Sequence, residues 1–242
     1  MKSRRKFGWR CAVSALRVGV GIIALWGWVV RSMAGDPRVL WHSQPVKPGQ
    51  SVLVYGDDLA AAPVVGGRLD DGPAGMPGDG NGEVPDFKSR PLTVIQARER
   101  ALKIILPDEA PGVYALTVGA APNSQRIRVN APQVWWGRGA QRLEAVPGED
   151  LRLFGLGLGW RGVHEALAGE PPKNRGTRIV LQGPRTTELV VADADLYSAR
   201  APLPADLPVG EYTVWVHNGC GGPSAWGRCL EPLRVGRPDP WP

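Results

Sequence analysis

Few residues in this chain are of types that do chemistry, and their spacing assembles no reaction centre. Of the 242 residues three are His (His42, His164, His217), and none stands in a metal-binding pattern such as His-Glu-x-x-His. Ser224 lies in Gly222-Pro223-Ser224-Ala225-Trp226, whose last residue breaks the Gly-x-Ser-x-Gly elbow that exposes a nucleophilic serine. Asp193 and Asp195 alternate on one face of an expected strand or turn, the kind of carboxylate pair that glycoside hydrolysis uses. Nothing marks a cleft that would hold a sugar beside them, so a solvated face is expected. Gly157-Leu158-Gly159-Trp160-Arg161-Gly162 has the glycines of a dinucleotide fingerprint. The next stretch, 163–168, is cut off by Gly169-Glu170-Pro171-Pro172, too soon for the helix whose N-terminus would hold a pyrophosphate. The acidic, glycine-rich stretch from Asp70 to Glu83 lacks the spacing of an EF-hand and reads as a solvated loop. No catalytic residue, cofactor or metal is expected.

Two residue sets remain. Cys220 and Cys229 are the only cysteines beyond the first 34 residues. In an exported chain such a close pair predicts a local disulfide, worth on the order of 2–3 kcal/mol. Seven of the ten Trp also lie beyond that point. Trp160 and Trp226 fall in glycine-rich loops where a core is hard to pack, and they are the predicted glycan-stacking residues, since a flat indole face suits a sugar ring. Trp135 or Trp136 is expected to fill the inter-domain junction, and the others, Trp215 among them, to cover sheet edges.

The elements that position these residues come next. Residues 1–34 carry a basic start, an apolar run over 18–30 and Ser32-Met33-Ala34, the layout of a signal peptide cleaved before Gly35. The run is shorter than the ~20 residues of a permanent span. Extension of the run through 11–16 would instead make it an uncleaved anchor. Ser3-Arg4-Arg5-Lys6-Phe7 also fits a twin-arginine export motif. The formal charge of +6 belongs to this leader: it holds seven of the 29 basic residues and none of the 23 acids. The remainder is near neutral, which excludes the broad basic footprint of a nucleic-acid binder.

Beyond the leader the chain repeats itself. Pro48-Gly49-Gln50-Ser51-Val52-Leu53-Val54-Tyr55-Gly56 aligns with Pro147-Gly148-Glu149-Asp150-Leu151-Arg152-Leu153-Phe154-Gly155, 99 residues later. Leu106-Pro107 through Gly112-Val113-Tyr114 aligns with Leu203-Pro204 through Gly210-Glu211-Tyr212. In each copy a Pro-Gly turn launches an alternating strand, and Gly56 or Gly155 is expected to end it at positive φ. Tyr114 and Tyr212 stand just after a turn, at the start of a late strand, as in the tyrosine corner of Greek-key sandwiches. With 32 Gly and 24 Pro punctuating short strands, the fold class is all-β: two tandem immunoglobulin-like β-sandwiches after an N-terminal signal or anchor helix. The expected boundaries are 1–34 for the leader, 36–130 for the first sandwich and 131–237 for the second, joined at Asn130-Ala131-Pro132.

These turn-and-strand motifs resemble IPT/TIG-type immunoglobulin-like modules. Pro132-Gln133-Val134-Trp135-Trp136, Pro147 to Gly155 and Gly210-Glu211-Tyr212-Thr213-Val214-Trp215-Val216 are similar to the paired modules that precede a pectate-lyase-like β-helix in large secreted bacterial proteins. The resemblance implies an extracytoplasmic, non-enzymatic accessory that binds polysaccharide or spaces a cell-envelope partner. Two alternatives stand beside it: the front of a truncated or split polysaccharide-degrading enzyme, and a membrane-anchored envelope protein.

Overall fold

A computed structural model of the chain describes residues 36–78, 88–140, 144–159 and 176–237; the leader lies outside them. The first sandwich pairs strands β1 (Arg38–His42), β2 (Ser51–Asp57), β6 (Ala101–Ile105) and β5 (Val94–Arg98) in the order β1-β2-β6-β5. Its second sheet runs β4 (Arg90–Pro91), β3 (Val64–Arg68), β7 (Tyr114–Val118), β8 (Gln125–Val129). The second sandwich repeats this plan. Strands β9 (Gln133–Gly139), β10 (Asp150–Leu156), β14 (Ser198–Pro202) and β13 (Asp193–Ala194) make one sheet in the order β13-β14-β10-β9. The other runs β12 (Thr187–Leu189), β11 (Arg178–Gln182), β15 (Gly210–His217), β16 (Gly227–Arg228), with β17 (Leu233–Val235) also on β15. Each named pairing between these strands is antiparallel.

Alternation decides what is inside. Val52 and Val54 of β2, with Leu102 and Ile104 of β6, face Tyr114, Leu116 and Val118 of β7 across the first core. Leu151 and Leu153 of β10 face Tyr212, Val214 and Val216 of β15 in the same way across the second. Full burial of each such aliphatic side chain contributes roughly 1.5–3 kcal/mol. Both tyrosines are fully buried. The Tyr114 hydroxyl donates to the Ala110 carbonyl at 3.0 Å, and that of Tyr212 to the Pro208 carbonyl at 2.7 Å. Each ties a strand start to the turn four residues back, which is the tyrosine-corner geometry. Burial, reinforced by the Glu109 carboxylate, pushes the Tyr114 hydroxyl up to about 12.

Gly56 and Gly155 do not end their strands at positive φ; they lie within β2 and β10. Their lack of a side chain serves a close approach instead. A Cβ on Gly56 would stand 1.9 Å from the Arg38 carbonyl oxygen, and one on Gly155 would stand 2.1 Å from that of Gln133. Each carbonyl belongs to the neighbouring strand at a β-bulge. Val39 pairs with Gly56 and Trp41 with Tyr55, leaving Leu40 unmatched. Val134 pairs with Gly155 and Trp136 with Phe154, leaving Trp135 unmatched. The repeated glycine thus lets the bulge close, and the bulge re-aims the aromatic residues that follow.

One difference between the copies matters. Residues 119–124 join β7 to β8, whereas 218–232 join β15 to β17 and carry the single-turn 3-10 helix Gly222–Ala225 and strand β16. This longer connection packs on the first sandwich. Cys220 and Ala225 join Leu69, Val113, Ala115, Ala131 and Leu196 in an apolar cluster between the two cores. The half-buried Arg128 side chain donates to the carbonyls of Ser224 (2.5 Å) and Trp226 (3.1 Å). Asn130, at the join, is buried and tied on several sides. Its side chain accepts from Val46 N–H and donates to the carbonyls of Val46 and Gly112, while Asn218 Nδ2 donates to its carbonyl. A buried polar group so fully paired adds rigidity rather than cost.

Candidate glycan-stacking surface

The structure places Trp226, expected in an open loop, in the interior. Trp226 is 4% exposed and packs with Ala74, Val180 and Trp215. Its Nε1–H donates to the Ala74 carbonyl at 3.0 Å, the His217 ring lies 5.1 Å away, and the Arg178 guanidinium stands 5.3 Å from its centroid. It has no free face for a sugar. The reason is the segment after β3, which was expected to be a solvated loop. Residues 69–78 lie across the second sandwich instead. There Asp71 pairs with Arg68 and accepts from Gly221 N–H, Arg178 donates to the Gly75 carbonyl, and Gln182 donates to that of Pro77. Trp160 falls outside the described residues.

The predicted disulfide is also corrected: no bond joins Cys220 and Cys229. The 3-10 turn between them sends the two side chains into different apolar clusters, Cys220 between the sandwiches and Cys229 into the second core. Burial pushes the Cys229 thiol up, which keeps it protonated and unreactive.

Asp195 is committed to structure. Its carboxylate accepts from the backbone N–H groups of Tyr197 and Ser198, both at 2.7 Å, and from the Ser198 hydroxyl. Asp193 stands opposite Arg200 in the sheet. Among the described residues no three His, Cys, Asp or Glu side chains gather to hold a metal ion. Between the sandwiches a crevice lined by Gln44, Asn130, Leu196 and Asn218 has room for about one water molecule.

His217 is buried beside Trp226, and its hydrogen bonds fix its proton. Gly219 N–H donates to Nδ1 at 2.9 Å, so the hydrogen sits on Nε2, which donates to the Gly222 carbonyl at 2.8 Å. Burial holds the imidazole below its usual pKa; the Gly222 contact opposes this and the Arg178 charge adds to it. The native state therefore resists a proton that the unfolded chain accepts near 6.5. Stability is complete above that pH and is lost as pH falls from there toward the native value. His42, also lowered by burial, acts in the same direction. Glu188, held down by its hydrogen bond from Arg178, loses its contribution only below its ordinary 4.5. Urea midpoints are thus expected to fall between pH 7.5 and 5.5. The fall should shrink in His217→Gln, and an unchanged slope in that variant would contradict the assignment.

What the structure leaves exposed is the other set of aromatics. Trp136 is 41% exposed and stacks on Phe154, with ring centroids 4.1 Å apart and planes 22° from parallel. Trp135, the bulge residue beside it, is 53% exposed. The first sandwich carries the same construction. Trp41, 54% exposed, pairs with Tyr55, 39% exposed, and the Arg100 guanidinium lies 5.0 Å from the Tyr55 centroid. Both pairs lie on the outer faces of β1-β2-β6-β5 and β9-β10-β14-β13, opposite the core-facing residues of β2 and β10. Each sandwich thus carries an outward aromatic pair at a matching position, with Trp41, Tyr55 and Trp136 exposed and Phe154 half-buried beneath Trp136; such indole and phenol faces can stack on sugar rings but supply no acid, base or nucleophile.

No protein-family model and no curated protein sequence matches the chain. The described residues fold as two antiparallel β-sandwiches in tandem. Similar solved structures include the surface glycan-binding protein SGBP-B of Prevotella bryantii, 15% identical, with a TM-score of 0.32 over 82% of this chain and 42% of that one. A second is SGBP-B of the Bacteroides ovatus mixed-linkage glucan utilization locus, in complex with a mixed-linkage heptasaccharide. It is 15% identical, with a TM-score of 0.29 over 85% of this chain and 46% of that one. A third is the titin I-band fragment I67–I69, 13% identical, with a TM-score of 0.21 over 84% and 65%. The chain spans less than half the length of the two glycan-binding proteins.

Proposed function

We propose that this chain is a non-catalytic, extracytoplasmic accessory that binds polysaccharide through the outer sheet faces of its two sandwiches. In this reading residues 1–34 are the export signal, and 36–130 and 131–237 are the two modules, of IPT/TIG type. The observation that supports it is the repeated aromatic pair on the outer sheet face, Trp41 with Tyr55 and the exposed Trp136 backed by the half-buried Phe154. Large apolar surface left in water at matching positions of two copies is costly unless something covers it. A stacked sugar covers it without needing a pocket.

Affinity electrophoresis in gels cast with soluble polysaccharides tests the reading. The whole chain is expected to be retarded by at least one polysaccharide of a panel spanning neutral β-glucans, xylan and polygalacturonate. Trp136→Ala should weaken that retardation by about tenfold, equivalent to ~1.4 kcal/mol. Free migration in every gel would remove polysaccharide binding and leave only a spacing role.

A further inference from the structure

One row of the second module's outer face has no counterpart in the first. Arg152 of β10 pairs with Arg138 of β9 on one side and with Arg200 of β14 on the other, so three guanidinium groups stand in cross-strand register. With strands 4.7–4.9 Å apart, the row spans about 10 Å. Like charges directly opposite one another in a sheet are destabilising. Of the three, Arg200 forms an ion pair with Asp150 Oδ2 at 3.2 Å, with half its side chain still exposed. Asp193 follows Arg200 in the register. Arg138 and Arg152 meet no carboxylate among the described residues, and Arg138 Nε is buried without a hydrogen-bond partner. In the first module the positions matching Arg152 and Arg200 are Leu53 and Lys103, which face each other and carry a single cation. The row is therefore not a requirement of the fold.

The next row along the same face, two residues on, is Trp136 with Phe154. A stacking surface thus lies about 7 Å from a line of planar, fork-shaped donors. Guanidinium forks match carboxylates with two parallel hydrogen bonds, and they do so best when the partner is held in place by other contacts. Resting on the stacking role proposed above, we propose that the second module selects an acidic polysaccharide, one built of uronic acid units. Sugar rings lie on Trp136 and Phe154, and ring carboxylates meet Arg152, Arg138 and Arg200. The aromatic row offers an indole face to the C–H faces of pyranose rings, and the near-neutral remainder of the chain gives no wider basic field for a nucleic acid backbone.

The test titrates the full chain with polygalacturonate and with a neutral mixed-linkage β-glucan, at low and at 0.5 M salt. Polygalacturonate is expected to bind at least tenfold more tightly at low salt, and the preference should shrink at high salt as the charges are screened. Arg152→Leu copies the residue that the first module carries at this position, so its unfolding midpoint should stay near that of the parent. It should lose about tenfold in polygalacturonate binding while leaving neutral glucan binding as it was. Equal or tighter binding of the neutral glucan would overturn the acidic preference and leave the stacking role standing. Binding of neither polymer, with none in the wider panel, would remove both. Preferential retention of single-stranded DNA over polygalacturonate would also overturn the proposal.

Discussion

Trp226→Ala is expected to destabilise the protein by about 3–5 kcal/mol, the usual cost of emptying a large buried aromatic site. The indole fills the cluster with Ala74, Val180 and Trp215, and its N–H is the donor that the Ala74 carbonyl receives. Removing it leaves a cavity and takes away a bond that holds residues 69–78 against the second sandwich. The His217 ring loses its aromatic neighbour as well. Chemical unfolding should show the loss directly. Polysaccharide binding measured where the variant remains folded should be unchanged, because Trp136 and Trp41 stand on other faces. A stable variant that no longer binds polysaccharide would restore Trp226 as a stacking residue.

Gly155→Ala is expected to cost about 3 kcal/mol, the upper end of the usual range for forcing atoms into space already filled. Its Cβ would meet the Gln133 carbonyl oxygen at 2.1 Å and Leu158 Cδ2 at 3.0 Å. A side chain can swing away from such a contact, but a backbone carbonyl in a paired strand cannot. Strand β9 has to move, and Trp135 and Trp136 move with it. Both the unfolding midpoint and polysaccharide binding should therefore fall together. Gly56→Ala in the first module, with 1.9 Å to the Arg38 carbonyl, should behave alike. Gly72→Ala is the matched control: nothing lies within 4 Å of its Cβ position, and its stability should stay within about 0.5 kcal/mol of the parent. A stable Gly155→Ala protein would mean that the bulge is not closed as described.

The sandwich plan was legible because it is written twice with the periodicity of two. Val52 and Val54 predict one buried face, Leu151 and Leu153 the same face in the second copy, and the tyrosine after each turn marks the late strand. The exposed aromatic pairs were not legible in the local sequence, for a physical reason. A loop position implies exposure only where nothing covers the loop, and Trp226 is buried because another segment is laid over it. No local pattern announces that residues 69–78 will travel to the second sandwich, since that contact joins residues about 150 apart. Trp135 and Trp136 looked like junction residues because they follow the join. The bulge that turns them outward depends on Gly155 in a different strand. The signal was present in the repeat itself: Trp41 before Tyr55-Gly56 and Trp136 before Phe154-Gly155 are the same arrangement. The arginine row was invisible because Arg138, Arg152 and Arg200 meet only through strand register. The cysteine pair failed because closeness in sequence says nothing about which apolar cluster each side chain enters.

The most direct measurement is a nitrogen–proton spectrum of the indole N–H groups during titration with polygalacturonate. Signals assigned to Trp135 and Trp136 should shift as the polymer is added, while those of the buried Trp215 and Trp226 stay in place. Movement confined to Trp215 and Trp226, or no movement of any indole under conditions where binding is saturated, would contradict a binding surface on the outer sheet face.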